Sequence, residues 1–251
     1  MLTVGGAPLR AVFEAARVGT PAYVYDLDGI RAEALALEAS FGAAPHLTAY
    51  AVKANTAGSV VRALAAAGTG ADVVSGGELE VALGAGISPR RIVMSGVAKT
   101  DPELDQAIVN DLFAVQAESL QELERLAARA RTVGRRARLG LRLKPGVEID
   151  SHAHIATGHD EAKFGIALAD VGAAFGSVDA HPELELVGVS AHVGSMLRAP
   201  EPYLAAARVV CRVAKARLAA GHALDYVDFG GGFAVDYGGA PATKPGTFVR
   251  A

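Results

Sequence analysis

The sequence predicts an α/β fold, a (β/α)8 TIM-type barrel that lacks its last strand. Short β-branched runs alternate with Ala/Leu-rich helical segments almost throughout, a pattern that predicts βαβ units, a parallel sheet and right-handed crossovers. The length of 251 residues suits one large α/β barrel or two modest domains. Hydrophobic residues make up 51% and charged residues 20%, which is ample material for a core.

The first element is an opening strand at Ala22-Val24-Tyr25, followed by a helix through Ile30–Ala39. Barrel-type strands are expected near Thr48–Val52, Ala71–Val74, Ile92–Ser95, Leu112–Val115, Arg138–Leu143, Leu186–His192 and Tyr226–Phe229. Helices are expected at Ser59–Ala67, Gly77–Ala85, Asp101–Val109, Ser119–Val133, Ala167–Phe175 and Pro202–Ala220. Ser119 with Glu122 three residues on has the spacing of a capping box. Seven barrel-type strands result, where a closed barrel of this kind needs eight. The Gly/Pro-rich segment DYGGAPATKPGTFVRA after Phe233 has neither strand nor helix period. It reads as a loop leading to further chain, so the sequence is expected to be the front portion of a longer protein. The domain reading is an N-terminal strand segment over 1–30, an incomplete barrel over 31–237 and an irregular tail over 238–251.

Bulk chemistry excludes several classes. Net charge is −3 and no basic run is longer than Arg135-Arg136, which argues against nucleic acid as the main partner. No uninterrupted apolar stretch reaches the roughly 18–20 residues that span a bilayer. The N-terminus MLTVGGAPLR lacks the features of a signal peptide. The single cysteine, Cys211, cannot make an internal disulfide and reads as a packed core thiol on a helix. The expected location is the cytoplasm.

Chemistry-bearing residues fall at or after strand ends, the face where barrel enzymes keep their active sites. Lys53 closes the apolar run HLTAYAVK; apolar surroundings would disfavour its charged form and leave a nucleophilic amine able to form a Schiff base. The plainer reading is a lysine that caps a strand and reaches solvent. In DVVSGGEL, a Ser-Gly-Gly turn opens a helix between the carboxylates of Asp72 and Glu78, or is simply a helix start with an acidic first turn. In SAHVGS, His192 is placed to stack on a planar ring and Ser195 to hold a phosphate oxygen, unless the histidine is merely satisfied within its strand. In DFGGGF, Gly230, Gly231 and Gly232 let the backbone approach an anion, or form a flexible strand exit. The segment after strand five carries Arg142, His152, His154, His159, Lys163 and Phe164. Its histidines lack a clear set of further ligands, so no metal is expected.

The order of these features is more telling than any one of them. Lysine on the first barrel strand, His-x-Gly-Ser on the sixth and Gly-Gly-Gly on the seventh describe one mouth with an amine, a stacking ring and a phosphate cradle. On the motifs TPAYVYD, YAVKAN, ADVVSGGEL, MSGVAKT, ATGHDEAKFGI, GVSAHVGS and DFGGGF, the chain resembles the fold-type III pyridoxal-phosphate-dependent decarboxylases from Thr20 to about Tyr237. ATGHDEAKFGI leans towards the diaminopimelate branch over those for ornithine or arginine.

The resemblance implies pyridoxal 5'-phosphate as cofactor, with Lys53 as the cofactor lysine and His192 stacked on its ring. It implies Asp72 and Glu78 as carboxylates beside the cofactor, Arg142 near its phenolic side, and Ser195 and Gly230–Gly232 as phosphate ligands. Lys53 and His192 are then the catalytic residues. It also implies that Ala22–Tyr25 belongs with a second, β-rich domain. The family continues with an eighth strand bearing Glu-Pro-Gly-Arg and with that β domain, and neither motif occurs here. The implied reaction is decarboxylation of meso-2,6-diaminopimelate to L-lysine by a homodimer acting on a small amino acid, with this chain inactive alone. The alternatives are a non-catalytic cofactor-binding remnant, a related decarboxylase for another basic amino acid, or a phosphate-binding barrel isomerase that needs no reactive lysine.

Overall fold

The computed structural model describes residues 2–147, 164–237 and 241–251. The chain opens with a small hairpin, β1 (Thr3–Val4) and β2 (Ala7–Pro8), and helix α1 (Leu9–Ala16). Helix α2 (Leu27–Ser40) starts where Asp26 accepts the Gly29 N–H, the ordinary chemistry of an N-cap. The repeating units follow: β3 (Ala49–Ala51), α3 (Gly58–Ala66), β4 (Gly70–Val73), α4 (Gly76–Gly84), β5 (Ile92–Met94), α5 (Asp101–Val109), β6 (Ala114–Ala117), α6 (Leu120–Val133) and β7 (Ala137–Lys144). Then come β8 (Ile166–Ala167), α7 (Val171–Ala180), β9 (Leu184–Ala191), α8 (Pro200–Ala219), β10 (Tyr226–Asp228) and α9 (Pro245–Arg250).

The strands form a curled, all-parallel sheet in the order β3-β4-β5-β6-β7-β9-β10, with β8 paired to β7. Seven principal strands are therefore present in the predicted sequence order, and among the described residues no pairing joins β3 to β10. The helices pack their apolar faces on the outside of the sheet. Leu79, Leu104, Leu123 and Leu126 meet Ile92, Met94, Leu139 and Leu141 in one continuous core. Near-continuous burial along β6 and β9 is what strands of a parallel sheet covered by helices require.

Four differences from the sequence reading have physical causes. Ala22–Tyr25 pairs with no strand among the described residues, and Tyr23 is 90% exposed, stacked only on Tyr25. Strand β6 begins two residues later than expected, because Asp111 takes a left-handed turn (φ 56°) and Phe113 donates to Ile92 O before the strand proper. Helix α7 starts at Val171, after a 3-10 turn over Leu168–Asp170 that follows β8. The tail is not wholly irregular. Pro245 sits in the first turn of α9, a position where its missing N–H costs nothing, and Phe248 drops into a cluster with Tyr203, Val193 and Leu197. Six residues are too few to display a helical period. Cys211 lies on α8 as expected but is half-buried, not enclosed.

Candidate active site

Register places the interior residues in rows across the sheet. Gln116 pairs with Gly140, Gly140 with Gly188, and Gly188 with Tyr226. A side chain on either glycine would occupy the space of the Tyr226 ring or hydroxyl. Their absence lets Tyr226 lie across the interior, where Gln116 donates to its oxygen at 3.1 Å and Ser190 donates to Gln116 at 3.0 Å. Burial raises the Tyr226 hydroxyl well above its ordinary value, so this floor is neutral.

Two residues further along the strands, Arg142 pairs with Ser190 and Ser190 with Asp228. Glu118, just beyond β6, extends this row and accepts from Arg142 Nη1 at 2.8 Å. The upper row thus holds an arginine and two acids where the lower row holds neutral groups. Arg142 also lies with its guanidinium 5.4 Å from the centre of the Phe164 ring.

Asp72 occupies the equivalent end of β4. Burial first, and the nearby Asp228, push its carboxyl up to about 6, against a hydrogen bond from Ser95 and the positive charges of Lys53 and Arg142. Its Oδ1 is buried with no hydrogen-bond partner among the described residues. Asp228 is raised too, chiefly by burial, although it accepts the Gly230 N–H at 2.7 Å. His192 is held down to about 4 by burial, then by Arg142 and Lys53, so its ring is neutral at pH 7.

Lys53 follows the plainer of its two sequence readings in its surroundings. It sits in a 3-10 turn (Val52–Ala54) after β3 and is exposed at the mouth, not wrapped in apolar side chains. Asp72 and His192 both feel its charge. Of two further lysines near strand ends, Lys144 closes β7, while Lys99 is 3% exposed and donates to Gly96 O at 2.5 Å, Gln116 O at 2.7 Å and Glu122 Oε1 at 2.7 Å. Three donors with three acceptors leave Lys99 no free lone-pair chemistry.

The glycine run is strapped to the segment after β9. Leu197 donates to Gly232 O at 2.9 Å, Ala234 to Leu197 O at 3.0 Å, and Gly231 N–H points at His192 Nδ1 at 3.4 Å. Gly230 and Gly232 have φ of 72° and 83°, and a side chain on Gly232 would strike the Gly194 carbonyl. Gly231 differs, because nothing lies within 4 Å of where its side chain would be. That open space beside Gly231, with exposed Ser195 on the neighbouring segment, is where an anion could approach.

Glu78 has a local use that the sequence hid. Its Oε2 accepts the Val74 N–H at 2.9 Å while its own N–H donates to the Ser75 cap at 3.2 Å. Glu122 repeats the device after β6, accepting from Glu118 N at 2.8 Å and donating to Ser119 at 3.1 Å. Sequence reasoning missed Glu118 and Asp228; the only signal was their place one residue beyond β6 and at the end of β10. His152, His154, His159 and Lys163 lie outside the described residues. Among the described residues, no group of three or more His, Cys, Asp or Glu side chains is placed to hold a metal, and no helix is long and apolar enough to cross a membrane.

The mouth fits a phosphate-bearing aromatic aldehyde. It offers an accessible amine, a neutral imidazole, a buried acceptor without a donor among the described residues, and open space beside the glycine run. Residues 27–248 match the family described as "Pyridoxal-dependent decarboxylase, pyridoxal binding domain", and the chain belongs to that family. Among curated relatives, it is 40% identical over 240 residues to a diaminopimelate decarboxylase of Zymomonas mobilis, covering 94% of this chain and 56% of that protein. A diaminopimelate decarboxylase of Pseudomonas aeruginosa is 38% identical over 246 residues, covering 98% of this chain and 59% of that one. Among solved structures, the diaminopimelate decarboxylase of Helicobacter pylori complexed with L-lysine superposes with a TM-score of 0.92 at 35% identity, over 97% of this chain and 61% of that one. The chain thus spans less than two thirds of the length of these relatives.

Proposed function

We propose that this chain forms the cofactor-holding barrel of a pyridoxal-phosphate-dependent decarboxylase acting on an amino acid, with meso-diaminopimelate as substrate and L-lysine as product. The observation that carries the reading is the convergence of Lys53, Asp72, Arg142 and His192 at one mouth beside the Gly230–Gly232 run. The similarity to diaminopimelate decarboxylases, one of them complexed with L-lysine, supports the choice of substrate. Residues 31–237 are taken as the barrel and residues 1–30 as a segment that packs with a separate β-rich domain. The complete protein is taken to be a cytoplasmic homodimer.

Pyridoxal phosphate, when bound, supplies an aldehyde that captures amines and a ring that accepts the electrons released when carbon dioxide leaves. Lys53 presents the amine that would anchor it. His192 would lie against the ring, and its low proton affinity keeps it uncharged there. The Ser195 hydroxyl would face the phosphate, as would the Gly231 N–H once released from His192 Nδ1, with Gly230 and Gly232 setting the backbone curve. Asp72 Oδ1 would receive a donor that the described residues do not supply. Arg142 would balance the acids of the upper row and keep positive charge near the reacting end. Borohydride reduction with pyridoxal phosphate, followed by peptide mapping, tests the anchoring. Modification at Lys53 is expected; modification at Lys99 or Lys144 instead would overturn it. Release of carbon dioxide from diaminopimelate, measured on the longest protein that carries this chain, separates the decarboxylase from a non-catalytic cofactor binder.

A further inference from the structure

Arg142 is the cation that Asp72, Asp228 and His192 all feel, so whatever fixes its guanidinium fixes the charge balance of the mouth. We propose that Glu118 is a positioning residue of this site, holding Arg142 in place and being held in turn by Glu122 and Lys99. The proposal rests on the cofactor site described above and deepens it.

Glu118 is 5% exposed, and its side chain 2%. A carboxylate so placed is costly unless its charge is matched, and Arg142 at 2.8 Å is its only hydrogen-bonding side-chain partner among the described residues. Its second oxygen, Oε2, makes no hydrogen bond among the described residues. The side chain thus hangs on one contact, and its aim must come from the backbone. That backbone is pinned: Glu118 N donates to Glu122 Oε2 at 2.8 Å, and Glu122 Oε1 takes Lys99 Nζ at 2.7 Å. Lys99 also ties Gly96 O after β5 to Gln116 O on β6. The route Lys99–Glu122–Glu118–Arg142 joins the ends of three adjacent strands beneath the mouth. Phe164 could hold Arg142 as well, because its ring lies 5.4 Å away. The experiment must separate these two supports.

His192 provides a readout that needs no cofactor. It faces Arg142 from β7, Lys53 from the turn after β3, and the Gly231 N–H from the glycine run. Its titration is followed by NMR of labelled imidazole in the unaltered chain, in Glu118→Ala and in Glu118→Gln. Loss of Glu118 alone would leave Arg142 uncompensated and press His192 lower still. Loss of Glu118 with release of Arg142 would let His192 rise above about 4, while burial, the larger cause, would still hold it below 6.5. A rise is expected in Glu118→Ala, with Glu118→Gln in between. The affinity for pyridoxal phosphate should fall about fivefold or more in Glu118→Ala. Glu118→Ala combined with Arg142→Met should bind no worse than Arg142→Met alone. An unchanged or lowered His192 titration in folded protein overturns the proposal, as would multiplying losses in the double variant. If Glu118→Ala does not fold, Glu118→Gln carries the same titration test. If the unaltered chain shows no trapping at Lys53, the proposed function fails, and the His192 titration still decides the role of Glu118.

Discussion

Arg138 and Arg142 leave strand β7 four residues apart and are shielded alike, with side chains 16% and 14% exposed. Arg138, at the base, meets Glu185 at 3.0 Å, Asp225 at 2.6 Å and Phe113 O at 3.3 Å. Arg142, at the mouth, meets one carboxylate and one ring face. The acids follow the same division. Glu183 at the base is held below the usual carboxylate range by a backbone hydrogen bond and by Arg131, whereas Asp72 at the mouth is pushed up by burial. One end of the sheet stabilises its ions and the other strains them. Perturbed ionisation gathered at one end of a sheet marks the end where a ligand is handled.

The comparison breaks first at Lys53. Lys53→Ala should abolish borohydride-trapped pyridoxal phosphate entirely while leaving the thermal transition in place, read by mass spectrometry and by circular dichroism. The glycine run gives the next largest effect and splits in two. Gly232→Ala forces a side chain into the Gly194 carbonyl at φ 83° and should destabilise the fold by more than about 3 kcal/mol. Gly231→Val meets open space; its fold should survive while cofactor affinity drops by about 1–3 kcal/mol as approach to the backbone is blocked. Unchanged affinity in a folded Gly231→Val protein would place the phosphate elsewhere.

The two arginines sharpen the contrast directly. Arg138→Met should lower stability by about 1–2 kcal/mol in urea unfolding, discounted because Glu185 and Asp225 are 37% and 51% exposed, and should leave cofactor affinity alone. Arg142→Met should weaken cofactor binding, and should lower stability as well because it leaves the buried Glu118 carboxylate unpaired. Equal effects of the two substitutions on both measurements would erase the distinction between base and mouth.

Asp72 and His192 make the subtlest test, because their pH dependences oppose each other. Asp72 binds its proton more tightly in the native state, about 6 against 3.8, so stability is lost as pH rises through that window. His192 binds its proton less tightly, about 4 against 6.5, so stability is gained as pH rises through that window. The two slopes nearly cancel in the unaltered chain. Asp72→Asn should therefore be more stable at pH 8 by on the order of 1–3 kcal/mol, with the difference gone near pH 4. Its stability should climb from pH 4 to 6.5 as His192 alone titrates, and a flat profile would show that His192 is not strained.

The fold was readable because its signals are periodic and local. Apolar runs placed the seven principal strands in order, and Ser119 and Asp101 fell at or beside real helix starts. What escaped was set by tertiary contact. Helix α9 is too short to show a period, and Ala22–Tyr25 has β-forming residues without a neighbouring strand. The strand ends bearing Lys53, Asp72, Arg142 and His192 were legible as positions, but their electrostatics were not. Lys53 could be read as shielded by apolar neighbours or as reaching solvent, and it is exposed, while Glu118 drew no notice because its meaning lies in Arg142, 24 residues away.

The Tyr226 ring across the interior has a consequence for how such a sequence changes over generations. Its place exists only while positions 140 and 188 remain glycine. A lineage that first exchanged Tyr226 for a small residue would open position 188 to alanine, and position 140 also once the Gln116 amide shifted, and either alanine would then bar the tyrosine from returning. The three residues form a ratchet: the route out passes through Tyr226, and the route back requires two glycines to be restored before it.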